Sequence, residues 1–214
     1  MSRQPSRPRD RGRPAPPPSS PRDWRVTAVA AAGVLVAGYL AVTKLLGGAA
    51  AFCTAGGGCD VVQASRYAVL LGVPTALWGA LAYAAVGTLA AVGLTKGRWL
   101  AAFAIAAGAV GFSAYLTWLE LFVIHALCGY CLVSAALSVA LLAFLLWKRP
   151  VVGGRHSAVR PARLVTIGGV SALATIVAGA AIFAAGAESG SASYQEALAR
   201  HLAATGAVMY GAYW

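Results

Sequence analysis

Charge is scarce in this sequence: only 11% of its 214 residues are Asp, Glu, Lys or Arg, while 59% are hydrophobic. A water-soluble domain of this length could not be kept in solution by so little charge, so the composition excludes that class and places the chain in a bilayer. Acidic residues are the scarcest charge, six against 17 Lys and Arg, which leaves a formal net charge of +11. The excess falls in blocks between apolar runs rather than along one face. That pattern argues against a nucleic-acid partner and for topology signals. Cysteine and methionine are also few, four and two. A zinc site would want a second C-x-x-C or a nearby pair of histidines, and neither is present, so no metal site is expected.

What the sequence has is long apolar runs. Residues 1–25 carry seven Arg (3, 7, 9, 11, 13, 22 and 25) among Pro and Ser, with too few apolar residues to build a core, and are expected to be a disordered cytoplasmic tail. The run at 26–46 follows. It exceeds the roughly 7–15 residues of a signal-peptide core and reads as a retained span. Further runs lie at 73–94, 100–124, 131–147 and 164–185, each near the ~20 residues that cross a bilayer. Backbone groups in lipid must be satisfied within their own segment, so the chain is expected to be an all-α integral membrane protein with five transmembrane helices, packed closely through Ala and Gly.

The positive residues orient these spans. Seven lie in the N-terminal tail, two at Lys96 and Arg98, and five between Lys148 and Arg163. These three regions share one side, the cytoplasm by the positive-inside rule, which puts residues 47–72, 125–131 and the tail from 186 on the other. All four cysteines then face a compartment that permits disulfides.

The cysteines form two pairs. Cys128 and Cys131 make a C-x-x-C where the third span turns into the fourth, so that at least Cys131 is placed near a helix N-terminus, where free amides and the dipole favour a thiolate. Redox chemistry, a structural bridge and half of a zinc site all remain open for a lone C-x-x-C. Cys53 and Cys59 bracket three glycines, which reads either as a mobile dithiol or as a static staple across a small loop. A mobile pair above a membrane-edge pair describes a relay by thiol–disulfide exchange.

Glu120 is the single acidic residue inside an expected span. It suits either a proton relay or a hydrogen bond to a neighbouring helix, and the structural role is the slightly favoured one. His125 suits thiolate tuning or simple solvation, and the latter is favoured. Trp78, Trp99 and Trp118 read as packing residues and interface anchors.

Three strings, CTAGGGCDVVQAS at 53–65, LGVP with ALWG at 71–74 and 76–79, and YLTWLELFVIHALCGYC at 115–131, together resemble bacterial homologues of vitamin K epoxide reductase. The resemblance runs from about residue 25 to the C-terminus. In DsbB-type quinone reductases the C-x-x-C comes in the first outer loop; here the order is reversed, as in the vitamin K epoxide reductase branch. The resemblance implies a four-helix bundle around a quinone site with a fifth, peripheral helix over residues 26–185. It implies that Cys53 takes electrons from a thioredoxin-like partner, that Cys59 attacks Cys128, and that Cys131 faces the quinone, ubiquinone or menaquinone. Ser65 matches a serine at the edge of the active site, a helix cap being the equal alternative. The implied activity is a thiol:quinone oxidoreductase supporting disulfide formation outside the cytoplasm, in a bacterial inner membrane. The alternatives are vitamin K quinone or epoxide reduction, or a non-catalytic scaffold with structural or metal-binding cysteines.

Residues 186–214 are read as a linker and the truncated start of a thioredoxin-like domain: an amphipathic helix at 193–204, then the strand-like AVMYGAYW, ending one residue before the expected first cysteine of a C-P-H-C motif. A truncated reading frame is expected, a UGA selenocysteine codon read as a stop being one route to it; ordinary truncation and a real loss of the domain are the alternatives.

Overall fold

A computed structural model describes residues 23–48, 50–51, 53, 57–147, 151–152, 156–157, 161–188 and 191–206. The Arg-rich tail before residue 23 and the AVMYGAYW segment lie outside the described residues, as does Gly56 of the first outer loop.

Among the described residues, five helices are long and apolar enough to cross a membrane: Trp24–Leu45, Thr75–Val92, Lys96–Ile124, Gly129–Trp147 and Pro161–Gly186. The molecule is therefore a multi-pass helical membrane protein, as the hydrophobic runs dictate. In chain order the elements are α1 (Trp24–Leu45), α2 (Gly58–Ala64), a 3-10 turn (Arg66–Ala68), β1 (Val69–Leu70), β2 (Val73–Pro74), α3 (Thr75–Val92) and α4 (Lys96–Leu119). There follow a π-helical turn (Glu120–Ile124), α5 (Gly129–Trp147), β3 (Val151–Val152), β4 (His156–Ser157), α6 (Pro161–Glu188) and α7 (Ser191–Ala204). The amphipathic helix expected at 193–204 thus begins two residues earlier, as α7.

Helices α1, α3, α4 and α5 close a ring, since α1 packs on α3 and α5 while α4 packs on the same two; α6 lies outside it against α4. Small residues set these distances. A Cβ on Gly33 of α1 would overlap the ring of Tyr83 on α3, and one on Gly111 of α4 would lie 2.8 Å from the Cα of Ala172 on α6. Thr175 of α6 donates its hydroxyl to the Gly108 carbonyl at 2.9 Å. Within lipid, close backbone approach and interhelical hydrogen bonds take over the role that water exclusion plays elsewhere.

The dry core occupies one end of the ring. Val26, Ala90, Trp99, Leu145 and Leu164 are buried there together. Trp99, read from the sequence as a packing residue or interface anchor, is a packing residue: it is fully enclosed, its indole N–H donates to the Leu145 carbonyl at 3.0 Å and its ring stacks on Phe103. The opposite end is loosely filled, and there the short elements between α1 and α3 fold over the bundle. β1 and β2 form a hairpin whose turn residues Leu71 and Gly72 both have positive φ, 56° and 78°. That geometry suits glycine and strains leucine. The hairpin is tied down by Trp78, which donates to Leu70, and the 3-10 turn by Thr75, which donates to Tyr67.

Candidate redox site

α4 does not stop cleanly. Its last turn widens to π geometry over Glu120–Ile124, and His125 adopts a left-handed conformation, φ 56°, as the cap. The amides of His125 and Ala126 both return to the Glu120 carbonyl, a closure of the kind that ends helices in a sharp reversal. The chain can then re-enter the bundle as α5 after only residues 125–128. The Glu120 side chain completes the reversal: its Oε2 accepts the buried backbone N–H of Cys128 at 3.1 Å, and the residue is 2% exposed.

Cys128 is the N-cap of α5. Its carbonyl accepts the Leu132 amide at 3.0 Å, and its sulfur accepts the Cys131 amide at 3.4 Å, the bond that a Ser or Asp oxygen makes in an ordinary cap. The helix begins at Gly129, two residues before the start expected from the apolar run. The cap is therefore Cys128, while Cys131 sits within the first turn. Hydrogen bonding from the Cys131 thiol, with help from the amides of Cys131 and Tyr130, pulls the Cys128 thiol down to about 7 against the opposing effects of burial and the Glu120 charge.

Cys53 and Cys59 are joined in a disulfide with a Cα–Cα distance of 5.4 Å, and Cys128 and Cys131 are free thiols. The Cys59 sulfur lies 4.0 Å from that of Cys128. This approach rests on Gly58, the first residue of α2: a Cβ there would come within 2.5 Å of the Leu127 carbonyl oxygen. Gly58 thus provides room for one backbone to seat on another, a role distinct from the conformational freedom inferred from the glycine run. Lys44, in the last turn of α1, donates from Nζ to the Gln63 carbonyl and ties the far end of α2 to the bundle.

Next to Cys131 lies a cavity of about 110 Å³, lined by residues of α1, α2, the 3-10 turn, α3, α4, the π turn and α5. Leu40, Phe112, Leu116 and Ile124 form apolar walls; Tyr67, Thr117, Glu120, Ser134 and Cys131 contribute polar groups. A flat apolar ring with two carbonyl oxygens fits such a lining, because the walls can take the ring and the polar groups its oxygens. The structure thus brings Cys59, Cys128, Cys131 and Glu120 together. Ser65 stands apart from that group: its hydroxyl donates to the Val62 carbonyl at 2.7 Å, back into α2, although Val62, Gln63, Tyr67 and Ala68 on either side line the cavity. His125 is exposed. Tyr39, Tyr130 and the packing role of Gly58 were not read from the sequence; each acts through a contact distant along the chain, and local pattern carries no trace of it.

Over residues 24–146 the sequence matches the Vitamin K epoxide reductase family. The chain belongs to that family. The matched segment ends within α5, so it takes in the closed ring of the vitamin K epoxide reductase fold, with the cavity and all four cysteines, and leaves α6 and α7 outside. The chain is also 35% identical over 200 residues to the thiol-disulfide oxidoreductase LTO1 of Arabidopsis thaliana, an alignment covering 82% of this chain and 52% of that protein. This family member therefore spans about half the length of that relative.

Proposed function

We propose that the protein is a membrane thiol–disulfide oxidoreductase that moves two electrons from a thioredoxin-like partner through its two cysteine pairs to a lipid quinone, supporting disulfide formation outside the cytoplasm. The observation that carries this reading is the chain of neighbours: the Cys53–Cys59 disulfide, the 4.0 Å approach of Cys59 to Cys128, and Cys131 on the wall of the cavity. The plant relative is a thiol-disulfide oxidoreductase, which supports the thiol–disulfide part of this reading.

A partner dithiol reduces the Cys53–Cys59 disulfide by attacking Cys53, and leaves oxidised. The Cys59 thiolate then attacks Cys128 of an oxidised C-x-x-C: the Cys59–Cys128 bond forms, Cys128–Cys131 breaks, and Cys131 leaves as thiolate. Cys53 attacks Cys59 in turn, which restores the first disulfide and releases Cys128. A thiol held near 7, chiefly by the Cys131 side chain and then by the amides of the helix start, is a good leaving group at that step. The quinone, as substrate, accepts two electrons and two protons and leaves as hydroquinone, while the Cys128–Cys131 disulfide is restored.

Glu120 holds the Cys128 amide and borders the cavity, which supports a role in fixing the turn, with proton relay to the quinone as the second role. Ser65 secures the end of α2 at the cavity rim. Ubiquinone and menaquinone both suit the lining. The positive blocks at Lys96, Arg98 and 148–163 orient the protein in a bacterial plasma membrane with the cysteines outside.

The test is quinone reduction by the purified protein, given either a small dithiol or a thioredoxin-like donor. Turnover should vanish in Cys131→Ala and fall in Cys53→Ala chiefly with the protein donor. Unchanged turnover in both variants would refute the relay. Cysteines with a purely structural role predict no quinone reduction by the folded wild type with either donor.

A further inference from the structure

Two tyrosines from different helices converge on one residue of the first outer loop. Tyr39 of α1 accepts the Ala51 N–H on its hydroxyl oxygen at 2.7 Å, and Tyr130 of α5 donates its hydroxyl to the Ala51 carbonyl at 2.7 Å. The two rings lie 5.9 Å apart, tilted by 43°. Ala51 precedes Cys53 by two residues. Tyr130 is itself a member of the C-x-x-C, adjacent to Cys131. The first turn of α5 therefore touches the loop at both ends of the disulfide segment, by a hydrogen bond ahead of Cys53 and by sulfur contact at Cys59.

A phenol anchoring a helix at a membrane interface would spend its hydroxyl on water or lipid. Here both hydroxyls are spent on the two polar groups of one residue, and the α5 tyrosine comes from the redox motif. Each bond is at an exposed position. A net hydrogen bond shifts an equilibrium by about two- to tenfold, enough to bias the loop toward the C-x-x-C and little enough to let it go.

Building on the relay described above, we propose that Tyr39 and Tyr130 are positioning residues, a clasp that holds the Cys53–Cys59 disulfide over Cys128 for exchange and opens to present Cys53 to the donor. Holding two reacting groups together raises their effective concentration without any new reactive group. The clasp acts on one reversible step. The Cys128 thiolate attacks Cys59, the Cys59–Cys128 bond forms, the Cys53–Cys59 bond breaks, and Cys53 leaves as a thiolate that takes up the proton Cys128 gave to solvent.

The experiment uses the full chain in lipid nanodiscs, in a Cys131→Ala background where this step cannot proceed further. After equilibration, the ratio of Cys59–Cys128 to Cys53–Cys59 disulfide is read by non-reducing proteolysis and mass spectrometry. Tyr39→Phe and Tyr130→Phe should each lower that ratio about two- to tenfold, and the double variant by less than the product, because both hydroxyls hold one residue. In the four-cysteine protein, Tyr39→Phe and Tyr130→Phe should lower turnover while leaving the quinone KM and the unfolding midpoint unchanged, a split that a merely structural tyrosine would not produce. An unchanged disulfide ratio in both single variants would overturn the clasp. If Cys59–Cys128 does not form even with both tyrosines intact, the relay itself fails, and the clasp with it.

Discussion

The sulfur of Cys128 accepts the backbone N–H of Cys131 at 3.4 Å, so the residue that caps α5 is also the one facing the Cys59 sulfur. Capping and reactivity share a cause, since the amides that need an acceptor at a helix start also stabilise a negative sulfur. The first prediction follows from the lowered thiol. With Cys53–Cys59 kept oxidised, the alkylation rate of Cys128 should rise with pH through a midpoint of about 7, because thiolate is the populated form above the pKa and thiol below it. Cys131→Ala should move that midpoint upward, as the largest stabilising hydrogen bond is lost. A midpoint unmoved by Cys131→Ala would show that the lowering comes from elsewhere.

Gly58 predicts a distance effect. A methyl group at this position meets the Leu127 backbone, which cannot yield as a flexible side chain would. Gly58→Ala should lift α2 and slow exchange between Cys59 and Cys128 by roughly tenfold, a change of about 1.4 kcal/mol in the barrier. Stopped acid-quench trapping of the mixed disulfide measures it. Reduction of Cys53–Cys59 by a small dithiol should change little.

Glu120 separates hydrogen bonding from charge. Glu120→Ala leaves the buried Cys128 amide without its acceptor, which costs roughly 1–3 kcal/mol and should lower the unfolding midpoint. Glu120→Gln keeps an acceptor oxygen and should retain most of that stability. It also removes a negative charge that raises the Cys128 pKa, so the alkylation midpoint should move down. An upward movement would contradict this electrostatic account.

The fifth span supports the ring without lining the cavity. In Gly111→Val the added carbons would press on Ala172, and overpacking of this kind costs about 1–3 kcal/mol. Thermal unfolding should register that loss. The quinone KM should hold, since the cavity lining comes from α1 through α5.

Much of this fold was legible from residues alone. Five apolar runs gave five spanning helices, because a helix in lipid must satisfy its backbone locally and has few alternatives. Boundaries were less legible: α4 extends down to Lys96, and α5 begins at Gly129, where a Cys rather than a Ser or Asp supplies the cap. The resemblance of three short strings to vitamin K epoxide reductases pointed to the family that the match over 24–146 establishes. The part of the site that escaped notice is non-local. Nothing near Gly58 announces the Leu127 carbonyl, and nothing near Tyr130 announces Ala51, 79 positions away.

The sequence by itself therefore determined that this is a helical membrane protein with its cysteines in two pairs at span ends, since hydropathy and residue spacing act within a segment. Only the tertiary structure decided which sulfur meets which, that Cys128 is the cap, and that Glu120 holds its amide. Those relations exist once α1, α3, α4 and α5 close a ring and bring Ala51 and Cys59 over the start of α5, and that closure depends on contacts between parts of the chain that local sequence does not couple.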